Sequence, residues 1–156
     1  MKTPASFLYN LILALWVGGI AMFTFIVTPA IFKAYNRDMA GEIVDKLFPD
    51  YFMFNIVVSI LALIVFVSFL YQRKSIESAV SIGLIVVALV VNLYVNFKLH
   101  PEILRIKKEV SSFQTMPPDA GPRKEFRKLH GISMALNLLL MADGAGLLLL
   151  SSLLKK

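Results

Sequence analysis

The chain has 156 residues, no cysteine and a net charge of +6. It is 58% apolar and 17% charged, against about 45–50% and 25% in soluble domains, which argues against a water-soluble globule. Without cysteine there is no disulfide framework, zinc ribbon, thiol catalyst or iron–sulfur centre. The basic residues lie beside apolar runs, where anionic lipid headgroups rather than nucleic acid are the expected partner.

Four stretches, Thr3–Phe32, Tyr51–Gln72, Ser78–Phe97 and Gly131–Leu154, share one charged residue, Asp143. The other 60 residues hold 25 of the 26 charges. Runs of about 17–25 apolar residues match the bilayer hydrocarbon thickness, and with no water there the backbone must bond within helices. The expected fold class is all-α: a single integral membrane domain over 1–156, a four-helix bundle with spans at about 7–32, 51–71, 78–99 and 123–154. The first span exceeds the roughly 7–15-residue core of a signal peptide and is expected to stay in the membrane.

After the first span, Met39, Ile43, Val44, Leu47 and Phe48 recur at helical spacing opposite Glu42, Asp45 and Lys46. That pattern predicts a short amphipathic helix over about 39–49 in the membrane interface, broken by Pro49 before the second span. The connection Arg73–Glu77 is short. The long one, Lys98–His130, carries Pro117-Pro118 and Gly121-Pro122 as a turn region. Pro122 suits a first helical turn and Asp119 a cap, so the fourth helix should start near Arg123 and project several turns out of the membrane. Four spans place both termini and Arg73–Glu77 on one side with 5 Lys and Arg, and the two long loops on the other with 11. The positive-inside rule then puts the loops in the cytoplasm.

Most intramembrane polar residues fall towards the long-loop side. Asn92, Asn96 and His100 are spaced four apart on one face of the third helix, and His130, Ser133 and Asn137 lie close to one face of the fourth. Asn55 and Ser59 open the second span, Thr24 and Thr28 close the first, and Asn10 is the only span amide in the opposite half. Lipid cannot satisfy such groups, so they face the interior or a wet cavity. They form a pocket opening towards the long loops, or they are hydrogen-bonded glue between helices.

Asp143, near the middle of its span, is turned away from that face. It is either a proton-relay carboxyl or a protonated acid bonded to a neighbouring helix, with Trp16 and Thr24 as donors at similar depth. Gly144 and Gly146, opposite Gly18 and Gly19, would allow close backbone approach. His100 and His130 flank one loop, so bis-imidazole haem ligation is conceivable. Met134 and Met141 continue the His130 face, a copper-like set. No cofactor is required by the sequence. Phosphate loops, nucleophile elbows and zinc-protease helices are absent.

The stretch Ala40-Gly41-Glu42-Ile43-Val44-Asp45-Lys46-Leu47-Phe48-Pro49-Asp50-Tyr51-Phe52 resembles the loop signature of the transmembrane-protein-205-like family, the domain of unknown function 4149 group. Phe126-Arg127-Lys128-Leu129-His130-Gly131-Ile132-Ser133-Met134-Ala135-Leu136-Asn137-Leu138 is similar to its aromatic, His-Gly, Ser and Asn-Leu pattern, and Leu15-Trp16-Val17-Gly18-Gly19 also fits. The resemblance implies four spans and marks Trp16, Gly18, Gly19, Phe48, Pro49, His130, Ser133 and Asn137 as motif positions. It implies no established activity. His100 departs from the pattern, because an acidic or apolar residue commonly precedes that proline in the family.

Three functions stay open. A non-enzymatic ligand-binding, transport-related or accessory bundle, working through the pocket, is the reading adopted. A transporter would need an oligomer, because four spans are few and no inverted repeat is visible. A haem- or metal-binding redox subunit using His130, with or without His100, is the alternative. Expected partners are the lipid bilayer and either further copies of the chain or a larger membrane complex.

Overall fold

The computed structural model describes residues 2–71 and 75–153, with side chains for 4–71 and 75–152. Arg73 and Lys74, the last span residue Leu154, Lys155 and Lys156 lie outside them. The molecule is helical, with no strand among the described residues. Four long helices make it up: α1 (Pro4–Ala34), α2 (Arg37–Leu70), α3 (Ile76–Lys107) and α4 (Gly121–Ser152), each apolar enough to cross a membrane. At about 1.5 Å per residue they are roughly 45–50 Å long, well beyond the roughly 30 Å of hydrocarbon. Overhang is thus common to all four helices, not peculiar to α4.

The segment expected as a separate interfacial helix is the first part of α2, which is continuous from Arg37 through Pro49 to Val65 before a final π turn. Proline removes an N–H and crowds the carbonyl four residues earlier, yet Pro49 does not end the helix. Phe48, Tyr51 and Phe52 flank it in one aromatic cluster with Phe23 and His100, at centroid distances of 4.2–6.5 Å. At about 0.5–1.5 kcal/mol per aromatic pair, such packing offsets much of the proline penalty. The turn between α1 and α2 is therefore only Tyr35 and Asn36. Asn36 caps α2 by accepting a hydrogen bond from the Met39 N–H at 2.9 Å. At α4 the Ala120 carbonyl accepts from Lys124 N–H at 2.9 Å, and Asp119 is exposed and makes no cap.

Two other prolines are absorbed differently. Pro29 and Pro101 each follow a five-residue π turn by one residue, Phe23–Val27 in α1 and Val95–Leu99 in α3. The Thr28 N–H reaches back to the Phe23 carbonyl and the His100 N–H to the Val95 carbonyl. The extra residue of a π turn lets the helix run past a residue that cannot donate.

The helices form a closed ring in which α1 packs on α2 and α4, and α3 packs on α2 and α4. The core contains Leu13, Trp16 and Ile20 of α1, Ala62 and Phe66 of α2, Ile85 and Ala88 of α3, and Leu140 and Leu147 of α4. Outward, Phe7, Ile76 and Leu149 are 69%, 78% and 71% exposed. An apolar outer surface on this scale belongs in lipid, and the chain is a multi-pass membrane protein.

Candidate functional site

A cavity of about 230 Å³ lies between the four helices where the 108–120 connection crosses them. Phe48 and Phe52 of α2, Phe113 of the connection and Phe126 of α4 form much of its apolar wall. Four charged side chains join them: Arg37, Asp45, Lys107 and Arg123. Lys107 donates to Asp45 across the α2–α3 contact, a half-buried ion pair. Gly41 leaves room for it, since a Cβ there would stand 3.0 Å from Lys107 Nζ. Arg123 donates to the neutral Met116 carbonyl, and Arg37 has no acidic partner among the described residues. The connection is tied down where the Asp38 carboxylate accepts from Ser112 Oγ at 2.6 Å and Phe113 N–H at 2.7 Å.

Beneath the mouth lies a chamber of about 130 Å³, and Thr28, Phe48, Phe52, His130 and Ser133 line both. Several of its polar groups are joined by hydrogen bonds. Tyr51 Oη donates to Asn137 Oδ1 across the ring, and Asn137 Nδ2 donates to Thr24 Oγ1 at 2.8 Å. Asn92 Nδ2 donates to Ser59 Oγ at 3.2 Å, Ser59 Oγ to the Asn55 carbonyl at 2.7 Å, and Asn55 Nδ2 to the Tyr51 carbonyl at 2.9 Å. His100 is 7% exposed, with Phe48 and Phe52 edge-on at 5.3 and 5.2 Å. Its Nε2 is buried without a partner. His130 stacks on Phe126 at 5.6 Å and 8°.

The structure thus brings Asn55, Asn92, Asn137, His100, His130 and Ser133 to these two chambers. Asn96 lines neither and is half-buried. The even four-residue spacing that grouped it with Asn92 and His100 assumes a regular α-helix, and the π turn through Val95–Leu99 shifts that register. Phe48 is a wall of both chambers, whereas Pro49 and the fully buried Trp16 lie elsewhere. Met134 reaches the inner chamber, whereas Met141 is partly buried and packs against the core. Among the described residues no group of three or more His, Cys, Asp or Glu is placed to hold a metal ion.

Sequence reasoning missed Tyr51 and the charges at the mouth. Asp45 and Lys107 are 62 residues apart, and alone each reads as part of a solvated face. The dipeptides Thr28-Pro29 and His100-Pro101 were a usable signal: in both, the residue handed over by a π turn lines the cavity.

Asp143 is remote from this site. Neither expected donor reaches it: Thr24 is engaged by Asn137, and Trp16 Nε1, like Asp143 Oδ2, is buried without a partner. Tyr9 Oη of α1 is likewise buried without a partner. Of the four glycines, Gly144 alone mediates α1–α4 approach, with Val17 Cγ2 only 2.8 Å from where a Cβ would stand. Gly19 faces Phe54 of α2 at 2.6 Å, and Gly18 and Gly146 face open space.

The family model for a domain of unknown function, DUF4149, matches residues 11–112. That segment covers most of α1, all of α2 and α3, and the cavity walls they supply; α4 lies beyond it. An uncharacterised protein of Aquifex aeolicus (strain VF5) is 30% identical over 141 residues, spanning 89% of this chain and 92% of its own. No solved structure matches. With the family model covering more than half of the chain, and a relative aligned along nearly all of it, the chain belongs to the DUF4149 family.

Proposed function

We propose that this is a non-enzymatic, ligand-binding membrane protein whose working site is the two-chambered cavity beneath the 108–120 connection. One observation carries the reading: the chambers share a wall of five residues, and His100 Nε2 beside them is buried without a partner. Together the chambers reach the low end of the roughly 300–1,000 Å³ of small-molecule sites, and aromatic walls with few polar groups suit an amphipathic guest. Transport-related or accessory roles are uses of the same site. The resemblance to transmembrane-protein-205-like proteins belongs to this reading and brings no activity with it.

The test is solvent extraction and mass spectrometry of the detergent-purified protein beside Ser133→Trp, a substitution that fills both chambers. A small molecule in near-stoichiometric amount in the wild type and depleted in a folded Ser133→Trp supports the proposal. Identical extracts overturn it. If Ser133→Trp does not fold, Ser133→Leu makes the same comparison. His130→Ala and Asn137→Ala should each lower occupancy more than Asp143→Asn does.

A haem- or metal-holding redox subunit is the second reading, favoured by the placement of both imidazoles on one cavity. A visible absorption spectrum with elemental analysis separates the two. A Soret band or bound copper, lost in His130→Ala, replaces the first reading; a colourless, metal-free protein removes the second.

A further inference from the structure

Helices α1 and α4 do not run together along their whole length. Below Met22 they are in close contact, Gly144 lying against Val17. From Phe23 to Ala34, across the π turn and the last turns of α1, no Cα comes within 8 Å of any Cα of α4. At about 1.5 Å per residue this leaves a slot roughly 18 Å long. The Asn137–Thr24 hydrogen bond spans it near its closed end. Phe32 on one edge is 45% exposed and Met134 on the other 53% exposed, yet Phe32 lines the mouth and Met134 the inner chamber. The cavity therefore opens sideways, through the apolar outer surface that lipid covers.

The charge inside that opening is positive. Asp45 is matched by Lys107, the Arg123 charge reaches the Asp38 carboxylate without a salt bridge, and Arg37 makes no salt bridge among the described residues, so cations outnumber carboxylates in the lining. An arginine fork suits a phosphate or carboxylate, and basic pockets between membrane helices hold anionic headgroups. Size decides which part of a lipid fits: about 230 Å³ accommodates a headgroup, not a whole two-chain lipid.

We propose that an anionic phospholipid of the surrounding bilayer docks its phosphate-bearing headgroup in this cavity, entering through the α1–α4 slot. Arg37 and Arg123 face the phosphate, and the acyl chains stay in the slot between Phe32 and Met134. His100 and Ser133 meet the headgroup's hydroxyls. This rests on the ligand-binding reading above and names its ligand class.

The experiment uses the full chain in neutral detergent and titrates dioleoyl phosphatidylglycerol, followed by native mass spectrometry and thermal unfolding. Phosphatidylcholine, oleate and glycerol phosphate are run in parallel. Phosphatidylglycerol is expected to bind at least tenfold more tightly than phosphatidylcholine, with the preference weakened by salt. Arg37→Gln/Arg123→Gln should lose at least tenfold in phosphatidylglycerol affinity, and Arg37→Lys/Arg123→Lys should keep most of it. If the double glutamine variant does not fold, Arg37→Gln alone, at an exposed position, carries the comparison. Because the chain has no native cysteine, Thr28→Cys/Ser133→Cys can be bridged by a bifunctional thiol reagent, which should block lipid exchange.

Equal binding of phosphatidylcholine overturns the choice of an anion. Binding of oleate or glycerol phosphate as tight as that of phosphatidylglycerol overturns the phospholipid or the lateral route, respectively. If those lipids fail while a different molecule is depleted from the Ser133→Trp extract, this inference falls and the ligand-binding reading stands. If phosphatidylglycerol binds equally to wild type and Ser133→Trp, it is surface lipid and this inference falls; the extracts decide the ligand-binding reading separately.

Discussion

Asn137 links three helices: it projects from α4, accepts from Tyr51 of α2 and donates to Thr24 of α1. Hydrogen bonds within membranes average about 0.6 kcal/mol and reach about 1.7. Losing both bonds in Asn137→Ala should therefore cost roughly 1–2 kcal/mol, read as an earlier midpoint in a detergent unfolding titration. Asn96→Ala, which removes no hydrogen bond among the described residues, should leave that midpoint unchanged. The Asp45–Lys107 pair is a sharper case, because its side chains are only 24% and 16% exposed. Lys107→Met strands a half-buried carboxylate and should cost roughly 1–3 kcal/mol. Adding Asp45→Asn should recover much of that loss; a double variant as unstable as the sum of the singles would show that the pair is not coupled. The amides were legible in the sequence because uncharged polar residues stand out against an apolar run. The ion pair and Arg37 were not, because a charge outside the spans looks solvated until the fold supplies its neighbour.

The helices hold two departures from regularity that a periodic reading misses. Proline inside a helix signals a break, and that inference fails at Pro29, Pro49 and Pro101 for reasons the packing supplies. At Pro101 the π turn through Val95–Leu99 is the accommodation. Restoring an N–H with Pro101→Ala allows a bond to the Phe97 carbonyl, so the extra residue is no longer needed. Removing it rotates the helix by about 100° per residue, which turns His100 out of the cavity. A His100→Cys probe, only 7% exposed in the native register, should therefore change its rate with a small thiol reagent several-fold when Pro101→Ala is added; equal rates would exclude the proline as the cause of the turn. The α1–α4 contact makes a second prediction. Gly144→Ala places a Cβ 2.8 Å from Val17 Cγ2, and such overpacking typically costs about 1–3 kcal/mol. Gly146→Ala, facing open space, should be neutral or slightly stabilising. From sequence the four glycines were indistinguishable, since which of them meets a neighbour depends on helix rotation.

At the scale of the molecule the two halves do different work. One is closed around Trp16, Tyr9 and Gly144, where α1 and α4 touch; the other is splayed around the cavity, where they separate. The number of spans was legible because bilayer thickness fixes the length of an apolar run. The splay was not, because it depends on how two π turns and three prolines redirect long helices. The splayed half also carries charge: 11 of the 16 Lys and Arg belong to the segments around the 108–120 connection and the α1–α2 turn. Positive loops are retained on the cytoplasmic side during insertion, so we propose that the cavity mouth faces the cytoplasm. The cysteine-free chain makes this directly measurable with single substitutions, Ser111→Cys in the exposed connection and Gln72→Cys between α2 and α3. In sealed right-side-out vesicles an impermeant maleimide should label Gln72→Cys at once and Ser111→Cys only after permeabilisation. The opposite pattern would turn the molecule over, and the phospholipid it meets would then come from the outer leaflet.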